Sequence, residues 1–506
     1  MVASTLGRMP MQGSCPAKGL SPEQRQQISV AVLAGVPSVS QTAAGSGVSR
    51  NFCYQQASKA KAALAQAFAP VKADEKVLFQ LPVTTAWIEQ FVLAQSLIGH
   101  TSSRGVRELL DCLLDYRDLS QGSVHNLLMQ AAAKAQAFND AQDLSGINVG
   151  LFDEIYQGNK PVLVGMDARS TYCFLLSPED HCDETAWGTH LLELSEQRGL
   201  DLDYSIADGG RGLRAGHKAA WGDLPCHGDV FHAQMSWSEA SGFLERRALA
   251  AMEACEKLEC KVKALERDMR ASTVQKLRKL RQHLQAARLE SRRSVQLADD
   301  VALLARWMGT DVLALAGENP ATREMLFDFV VTELKSRQEL CPHRLGPLAC
   351  AMAAQRGQLL DFVGWLDDQW EQIACDQQVP AYLVWELCAL QGLNPDKCAY
   401  WQKHATLASK LGYKFGDVQA AVKQVLADTP RCSSLVENLN GRLRHYFSLR
   451  RLIGPRYLNL LRFFLNHRPY ERSRRPEREG KSPAQLLGGE HAHWLQMLGY
   501  QRFERN

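Results

Sequence analysis

The sequence predicts a mixed α/β protein: a sheet domain split by a large all-helical insertion and preceded by a helical region of helix-turn-helix type. Three observations lead there. Strand-like runs are confined to residues 147–231. From about Met235 to Asp428 strand signals almost vanish and apolar residues recur at helical spacing. Before residue 72, short helical runs are separated by cap and turn residues. A chain of 506 residues is also too long for one ordinary core.

The elements follow in order. Residues 1–20 carry Gly, Pro, Ser and Met without periodicity and read as a disordered leader. They lack an apolar signal-peptide core, which predicts that the protein is not secreted. Residues 21–72 then open with Ser21 as N-cap and Pro22 at the first helical position. A short helix, Val39 to Gly45, and a turn at Gly47-Val48-Ser49 lead into a longer polar helix from Arg50 to Phe68. Helix, short helix, tight turn and polar helix is the helix-turn-helix pattern. Arg50, Asn51, Gln55 and Lys59 lie near the start of the last helix, where such side chains reach base edges and phosphates. An ordinary three-helix bundle fits the same pattern. A second helical block, residues 78–140, has cap and turn signals at Ser102-Ser103 and Ser120-Gln121-Gly122 and offers Arg107, His125, Asn126 and Gln130 as further DNA contacts.

The first part of the sheet domain spans residues 147–238. Strands are expected at 147–152, ending in Asp153-Glu154, then at 161–166 and 171–176, with a hairpin turn at Gln157-Gly158-Asn159-Lys160. An amphipathic helix from Asp183 to Arg198 precedes a fourth strand, 202–207, which delivers Asp208-Gly209-Gly210, and a fifth at 224–231. Residues 239–428 form the helical insertion. Within it Leu258, Val262, Leu265 and Met269, continued by Leu277, Leu280 and Leu284, make an apolar seam. The seam folds back as an internal hairpin, the slightly favoured reading, or pairs between two chains. Trp365, Trp370, Trp385 and Trp401 also lie here, as core residues or as a platform for a base. Residues 429–490 return to the sheet domain, and 491–506 form a C-terminal tail.

Asp153 and Asp208 each end a strand, and neighbouring first and fourth strands would bring them together. Two close carboxylates repel unless a cation neutralises them, and Mg²⁺ suits an all-oxygen site. Glu437, on a helix, is the candidate third ligand. Asp167 also ends a strand and is the alternative to Asp153. Gly209 and Gly210 leave room beside Asp208 for a phosphate. The stretch from Arg442 to Lys481 is rich in arginine, including Arg442, Arg444, Arg450, Arg451, Arg472, Arg474, Arg475 and Arg478, opposed by Glu471, Glu477 and Glu479. It is a candidate phosphate-binding surface or a solvated helix face. The net charge of +3 decides nothing between them. The 14 cysteines include no Cys-x-x-Cys pair, which argues against zinc at Cys341-Pro342-His343 or Cys226-His227 and points to a reducing compartment. A cytoplasmic location is therefore expected, with nucleoid association following from the DNA-binding reading of residues 21–72. No apolar run approaches the roughly 18 residues of a membrane span.

The tail phrases Leu435-Val436-Glu437-Asn438-Leu439-Asn440, Phe464-Leu465-Asn466-His467-Arg468-Pro469-Tyr470 and Lys481-Ser482-Pro483-Ala484-Gln485-Leu486-Leu487 resemble the end of the catalytic domain in bacterial insertion-sequence transposases of the DDE class. Phe152-Asp153-Glu154-Ile155 is similar to the first-acid region of that family, and Ser205-Ile206-Ala207-Asp208-Gly209-Gly210 to the second. Asp229-Val230-Phe231-His232 matches the C/D-x-x-H phrase of members with helical insertions, such as the hAT and Mutator types. The resemblance covers roughly residues 147–238 and 426–490. It implies an RNase H-like fold, Asp153, Asp208 and Glu437 as catalytic acids holding Mg²⁺ (or Mn²⁺ in its place), and metal-dependent DNA cleavage and strand transfer. It implies a role near the active site for His232, as a proton donor to the scissile phosphate or as a hydrogen-bonding cap. Double-stranded DNA at element ends and target is then the partner, and a homodimer or larger assembly on two ends is expected. A metal-dependent nuclease without strand transfer, or a domesticated DNA-binding copy without chemistry, are the alternatives; the presence of all three acids disfavours the last.

Overall fold

The computed structural model describes residues 19–69, 81–267, 271–431, 433–450, 453–473, 475–489 and 492–501. Most of the expected leader, Met269 of the seam, Arg451 and Arg474 lie outside the described residues. The chain divides into two compact units, Met1–Val83 and Thr84–Asn506.

The first unit is three helices: α1 (Pro22–Ala34), α2 (Val39–Gly45) and α3 (Arg50–Ala67). Their boundaries follow the caps. Ser21 and Ser38 each close a capping box with the glutamine three residues on, and Ser49 accepts from Phe52 N at 3.2 Å to start α3. Ile28, Ala43 and Cys53 form the small core. Arg50, Asn51, Gln55 and Lys59 are all exposed on α3, whereas Gln56 turns into the interior.

The second unit opens with α4 (Thr85–Leu97), α5 (Ser103–Leu114) and α6 (Gln121–Ala141). These helices do not stand apart as a module. Ile88, Val92, Leu110, Val124 and Leu128 share one core with Leu151, Val164 and Ile206 of the sheet. Their apolar faces are spent on that shared core, and Arg107 Nε is engaged on the Leu119 carbonyl at 2.8 Å.

The sheet has five strands: β1 (Val149–Gln157), β2 (Lys160–Asp167), β3 (Cys173–Pro178), β4 (Tyr204–Ala207) and β5 (Cys226–Gly228), in the order β3-β2-β1-β4-β5. β1, β2 and β3 are antiparallel neighbours; β4 and β5 run parallel to β1. The β1–β2 turn is the expected two-residue hairpin, with Gln157 paired to Lys160 and Gly158 at φ +63°. β5 is shorter than expected because Asp229 caps the helix that follows.

Helices α7 (Glu184–Arg198) and α8 (Arg211–Trp221) cover one face, where Trp187, Leu191 and Leu213 pack on Phe152, Leu163 and Phe174. A long hairpin follows, α9 (Val230–Glu266) and α10 (Ala271–Trp307). α9 runs unbroken through the expected boundary at residues 238–239, so helical structure begins at Val230. Val262 and Leu284 are buried between the two helices, and Arg281–Glu266 and Arg288–Glu259 ion pairs tie them side by side. The seam therefore closes within the chain.

Six more helices complete the helical body: α11 (Pro320–Arg337), α12 (Pro342–Ala354), α13 (Arg356–Gln377), α14 (Ala381–Gln391), α15 (Cys398–Leu411) and α16 (Phe415–Asp428). Trp370 is fully buried in its core, Trp365 and Trp385 pack at its margin, and Trp401 is exposed. Last come α17 (Ser434–Leu449) and α18 (Pro455–His467), which cover the second face of the sheet, and short α19 (Pro483–Leu486) and α20 (Trp494–Met497). No described helix is long and apolar enough to cross a membrane.

Candidate active site

The site is set by register. The parallel β1–β4 ladder ends at Phe152 opposite Ala207, so the next residues, Asp153 and Asp208, leave the last rung side by side. Neighbouring strands are about 4.8 Å apart. Asp153 does not end its strand, contrary to the expectation from sequence: β1 continues to Gln157 against β2, and Asp153 pairs with Val164. It is β4 that stops, and the loss of that neighbour opens the edge at Asp153. Asp167, the alternative first acid, pairs with Gly150 three residues away along β1. Its carboxylate is occupied by the N–H groups of Arg169 (3.2 Å) and Ser170 (2.7 Å) and by the Ser170 hydroxyl, which makes it a turn-capping residue.

Asp208 is held by its backbone. Arg214, from α8, donates to the carbonyls of Asp208 (2.8 Å), Cys226 (2.9 Å), Ala207 (2.9 Å) and His227 (3.3 Å), and so locks the ends of β4 and β5 together. The Gly210 N–H donates to Asp208 Oδ1 at 2.8 Å. At either glycine the space a Cβ would need is already taken by a side-chain end. A Cβ on Gly210 would stand 2.8 Å from Asp208 Oδ1, and one on Gly209 would stand 2.6 Å from Gln355 Nε2.

Strand alternation sends Asp153 towards α17 and Glu154 to the other face. Asp153 Oδ2 accepts from Asn440 Nδ2 of α17 at 2.8 Å, and its Oδ1 accepts from Glu154 N at 2.8 Å. Burial pushes the Asp153 carboxyl up to about 7, helped by the charges of Glu437 and Asp208 and opposed by the Glu154 N–H and by His232. Burial likewise pushes Glu154 to about 7, with Asp208 and Asp153 adding to it. Glu154 Oε2 is buried without a hydrogen-bond partner.

Glu437 sits in the first turn of α17, where the helix dipole favours a carboxylate. His232 Nε2 lies 3.5 Å from Glu437 Oε1, and Arg444 lies 3.6 Å from Glu437 Oε2. The other ring nitrogen, Nδ1, is 2.5 Å from Asp229 Oδ2. Burial alone would raise the Asp229 carboxyl, but hydrogen bonds from His232 and Ser433 win and hold it below its ordinary value. That same bond to Asp229 raises His232 to about 9, against its own desolvation, so the ring is an imidazolium at neutral pH.

The structure thus gathers Asp153, Asp208, Glu437 and His232 at one end of the sheet and adds Glu154, Asn440 and Arg444. Arg442 is not with them. Two residues along a helix are separated by about 200°, and Arg442 enters a different cavity from the one Arg444 faces. Glu154 and Asn440 escaped sequence reasoning; only the second Asn of the Glu-Asn-x-Asn phrase signalled either.

The donor set is all carboxylate oxygen, with two members raised by burial and further by their neighbours' charge, and one buried oxygen unpaired. That chemistry fits a hard divalent cation. Among the described residues no three His, Cys, Asp or Glu side chains converge closely enough to grasp an ion as they stand. The ligands are a neighbourhood of charge and not a closed cage.

A pH prediction follows. In EDTA, folded Asp153 and Glu154 hold protons up to about pH 7, whereas unfolded carboxyls release them near 4. The stability they contribute is complete below pH ~4 and is lost as pH rises through 7. His232, raised to about 9, contributes with the same sign and loses its share between about 6.5 and 9. Buried His217 and His227, lowered to about 4 by desolvation, act in the opposite sense but have finished by about pH 6.5. The denaturation midpoint of the metal-free protein should therefore fall from pH 6.5 to 9. A flat or rising midpoint would contradict this charge balance.

Against known proteins, no family model matches the chain and no curated protein is found as a relative.

Proposed function

We propose that the chain is a DNA transposase of the DDE class, acting by Mg²⁺-dependent strand cleavage and strand transfer. The observation that carries this is the meeting of Asp153 and Asp208, at the end of one parallel ladder, with Glu437, which the chain brings back on α17. The order β3-β2-β1-β4-β5, three antiparallel strands followed by two parallel ones, supports an RNase H-like core with α9–α16 as its helical insertion.

Asp153, Asp208 and Glu437 would hold Mg²⁺, or Mn²⁺ in its place. Bound there, the metal would activate the attacking oxygen and stabilise the leaving one. The chain's own residues do the rest. Asn440 fixes one Asp153 oxygen, Gly210 N–H and Arg214 fix Asp208, and Asp229 holds His232 protonated with its second N–H aimed at the cleft. His232 and Arg444 present positive charge beside Glu437, where a scissile phosphate oxygen would accept their N–H groups. In the first step water attacks phosphorus and the bond to the 3′-oxygen breaks, leaving a 3′-hydroxyl and a 5′-phosphate. In the second, that hydroxyl attacks a target phosphodiester and displaces its 3′-oxygen.

The test uses a donor plasmid in which a marker is bounded by the DNA that flanks the gene. Cleavage at the marker's ends and joining to a second plasmid are expected. Cleavage without joining would leave the nuclease reading, and intact donor DNA would refute the proposal. Two ends must be held together, so light scattering with paired end DNA should show at least two chains in one particle; particles that hold a single chain, with both ends still joined, would refute the assembly.

End recognition is assigned to α3, through Arg50, Asn51, Gln55 and Lys59. Removing residues 1–83 deletes one compact unit, whereas a cut after residue 145 would strip α4–α6 from the sheet's own core. The 84–506 protein should lose end-specific binding and keep weak, salt-sensitive affinity. Unchanged specific affinity in a gel-shift titration would overturn the assignment.

A further inference from the structure

On the side of α17 away from Glu437 lies a cavity of about 600 Å³ whose lining includes Arg442, Arg472, Arg475 and Arg478. No Asp or Glu is among its described lining residues. The volume falls within the roughly 300–1,000 Å³ of small-molecule pockets. Its floor is apolar, with Leu435 and Leu439 from α17 and Leu465 from α18. The Tyr470 ring forms part of the wall, its hydroxyl fixed to Thr171 Oγ1.

Three of these four arginines meet no partner among the described residues. Among the described residues, the Arg442, Arg472 and Arg475 side chains meet no carboxylate and no hydrogen-bond acceptor. Arg442 is half-buried, and desolvation lowers the pKa of its guanidinium despite the nearby Tyr470 hydroxyl. Arg478 is buried, and one of its terminal nitrogens donates to the Arg169 carbonyl at 2.6 Å. A desolvated guanidinium without a counter-ion is costly, and an anion placed among these side chains would offset that cost. The guanidinium fork matches phosphate geometry. Asn438 at the mouth carries an exposed, unengaged amide, the group that pairs with a base edge.

We infer that this cavity is a nucleotide-binding site, taking phosphate on Arg442, Arg472, Arg475 and Arg478 and the base on the apolar floor beside Tyr470. Its ligand is either one unpaired nucleotide of a DNA strand or a free nucleoside phosphate; the recognition chemistry is the same. The site is separate from the carboxylate cluster, and the inference does not rest on the transposase reading.

Calorimetric titration of the full chain in EDTA, which keeps metal-dependent binding at the carboxylates out of the measurement, tests it. dATP and dAMP should bind, inorganic phosphate should compete, and deoxyadenosine should bind far more weakly. Arg442→Gln should weaken dATP binding roughly tenfold or more, the scale of one charge-assisted hydrogen bond. Arg475→Glu, on an exposed side chain, should do the same without risk to the fold, and melting curves of both variants verify that they are folded. A 5′-phosphorylated oligothymidylate that displaces dATP identifies a DNA strand as the source; dATP binding that the oligonucleotide leaves untouched identifies a free nucleotide. Absence of dATP binding at millimolar concentration, or binding unchanged in both variants, overturns the inference. Neither result depends on whether donor DNA is cleaved, so this site and the proposed chemistry fail independently.

Discussion

Asp208→Asn is expected to lower metal-dependent DNA cleavage by roughly a thousandfold or more, the scale seen when a group acting in the transition state is removed from a cooperating set. The substitution is close to isosteric. The amide oxygen can still accept from Gly210 N, and the Arg214 bonds are to backbone carbonyls and do not change. What goes is one negative charge beside Asp153 and Glu154. The metal-free variant should thus be at least as stable as the parent, because both neighbours are raised in part by Asp208. Loss of cleavage together with an unchanged or higher denaturation midpoint in EDTA is the expected pair of results. Cleavage within a few-fold of the parent would remove Asp208 from the chemistry.

The second large effect lies far from the carboxylates. Arg323 is fully buried near the start of α11 and donates to the carbonyls of Glu318 (2.7 Å), Val312 (3.0 Å), Leu315 (3.2 Å) and Ala314. These carbonyls lie between residues 312 and 318, in the segment that links the π-helical turn Met308–Val312 to α11. Phe362 lies under the guanidinium at 5.7 Å. Burial lowers the Arg323 pKa to about 10, which still leaves it charged. Arg323→Met keeps the volume and orphans the carbonyls, so the helical body should lose about 4 kcal/mol. Arg323→Lys should recover little, because an ammonium cannot reach four carbonyls with a planar fork. Tryptophan fluorescence during urea unfolding reports this body through buried Trp370. A loss below about 1 kcal/mol would show that the turn finds other partners.

What the sequence revealed, and what it hid, divides along a physical line. The strands, their hairpin and the helix caps were legible because alternation and capping are local. The seam of α9 and α10 was legible for the same reason, as a period of apolar residues. The position of Asp153 within its strand was not. Residues 154–157 continue the strand against β2 after β4 has stopped, and where β4 stops depends on register with residues some 50 positions away. The Asn440–Asp153 bond spans 287 residues, and Glu154 joins Asp208 only through the parallel pairing, so neither leaves a local trace. Arg442 and Arg444 looked like one basic surface because charge was counted along the chain. Helical periodicity alone separates them, and the structure assigns them to different faces of α17.

The hydrogen bonds at the root of the helical body have a further meaning. Val230 N donates to the Arg431 carbonyl at 3.3 Å, and Ser433 N donates to Asp229 Oδ1 at 3.2 Å. Some two hundred residues therefore leave the sheet and return to it at neighbouring points. The entropy of closing such an excursion grows only with the logarithm of its length, so the sheet is nearly indifferent to how much chain is suspended there. Such a root behaves as a socket. Bodies of different size can be exchanged on it over evolution, or by design, while the strands beneath keep their pairing. The Asp229 that bonds across the socket also fixes His232, so any exchanged body that closes the root properly sets the imidazolium in the cleft by the same act.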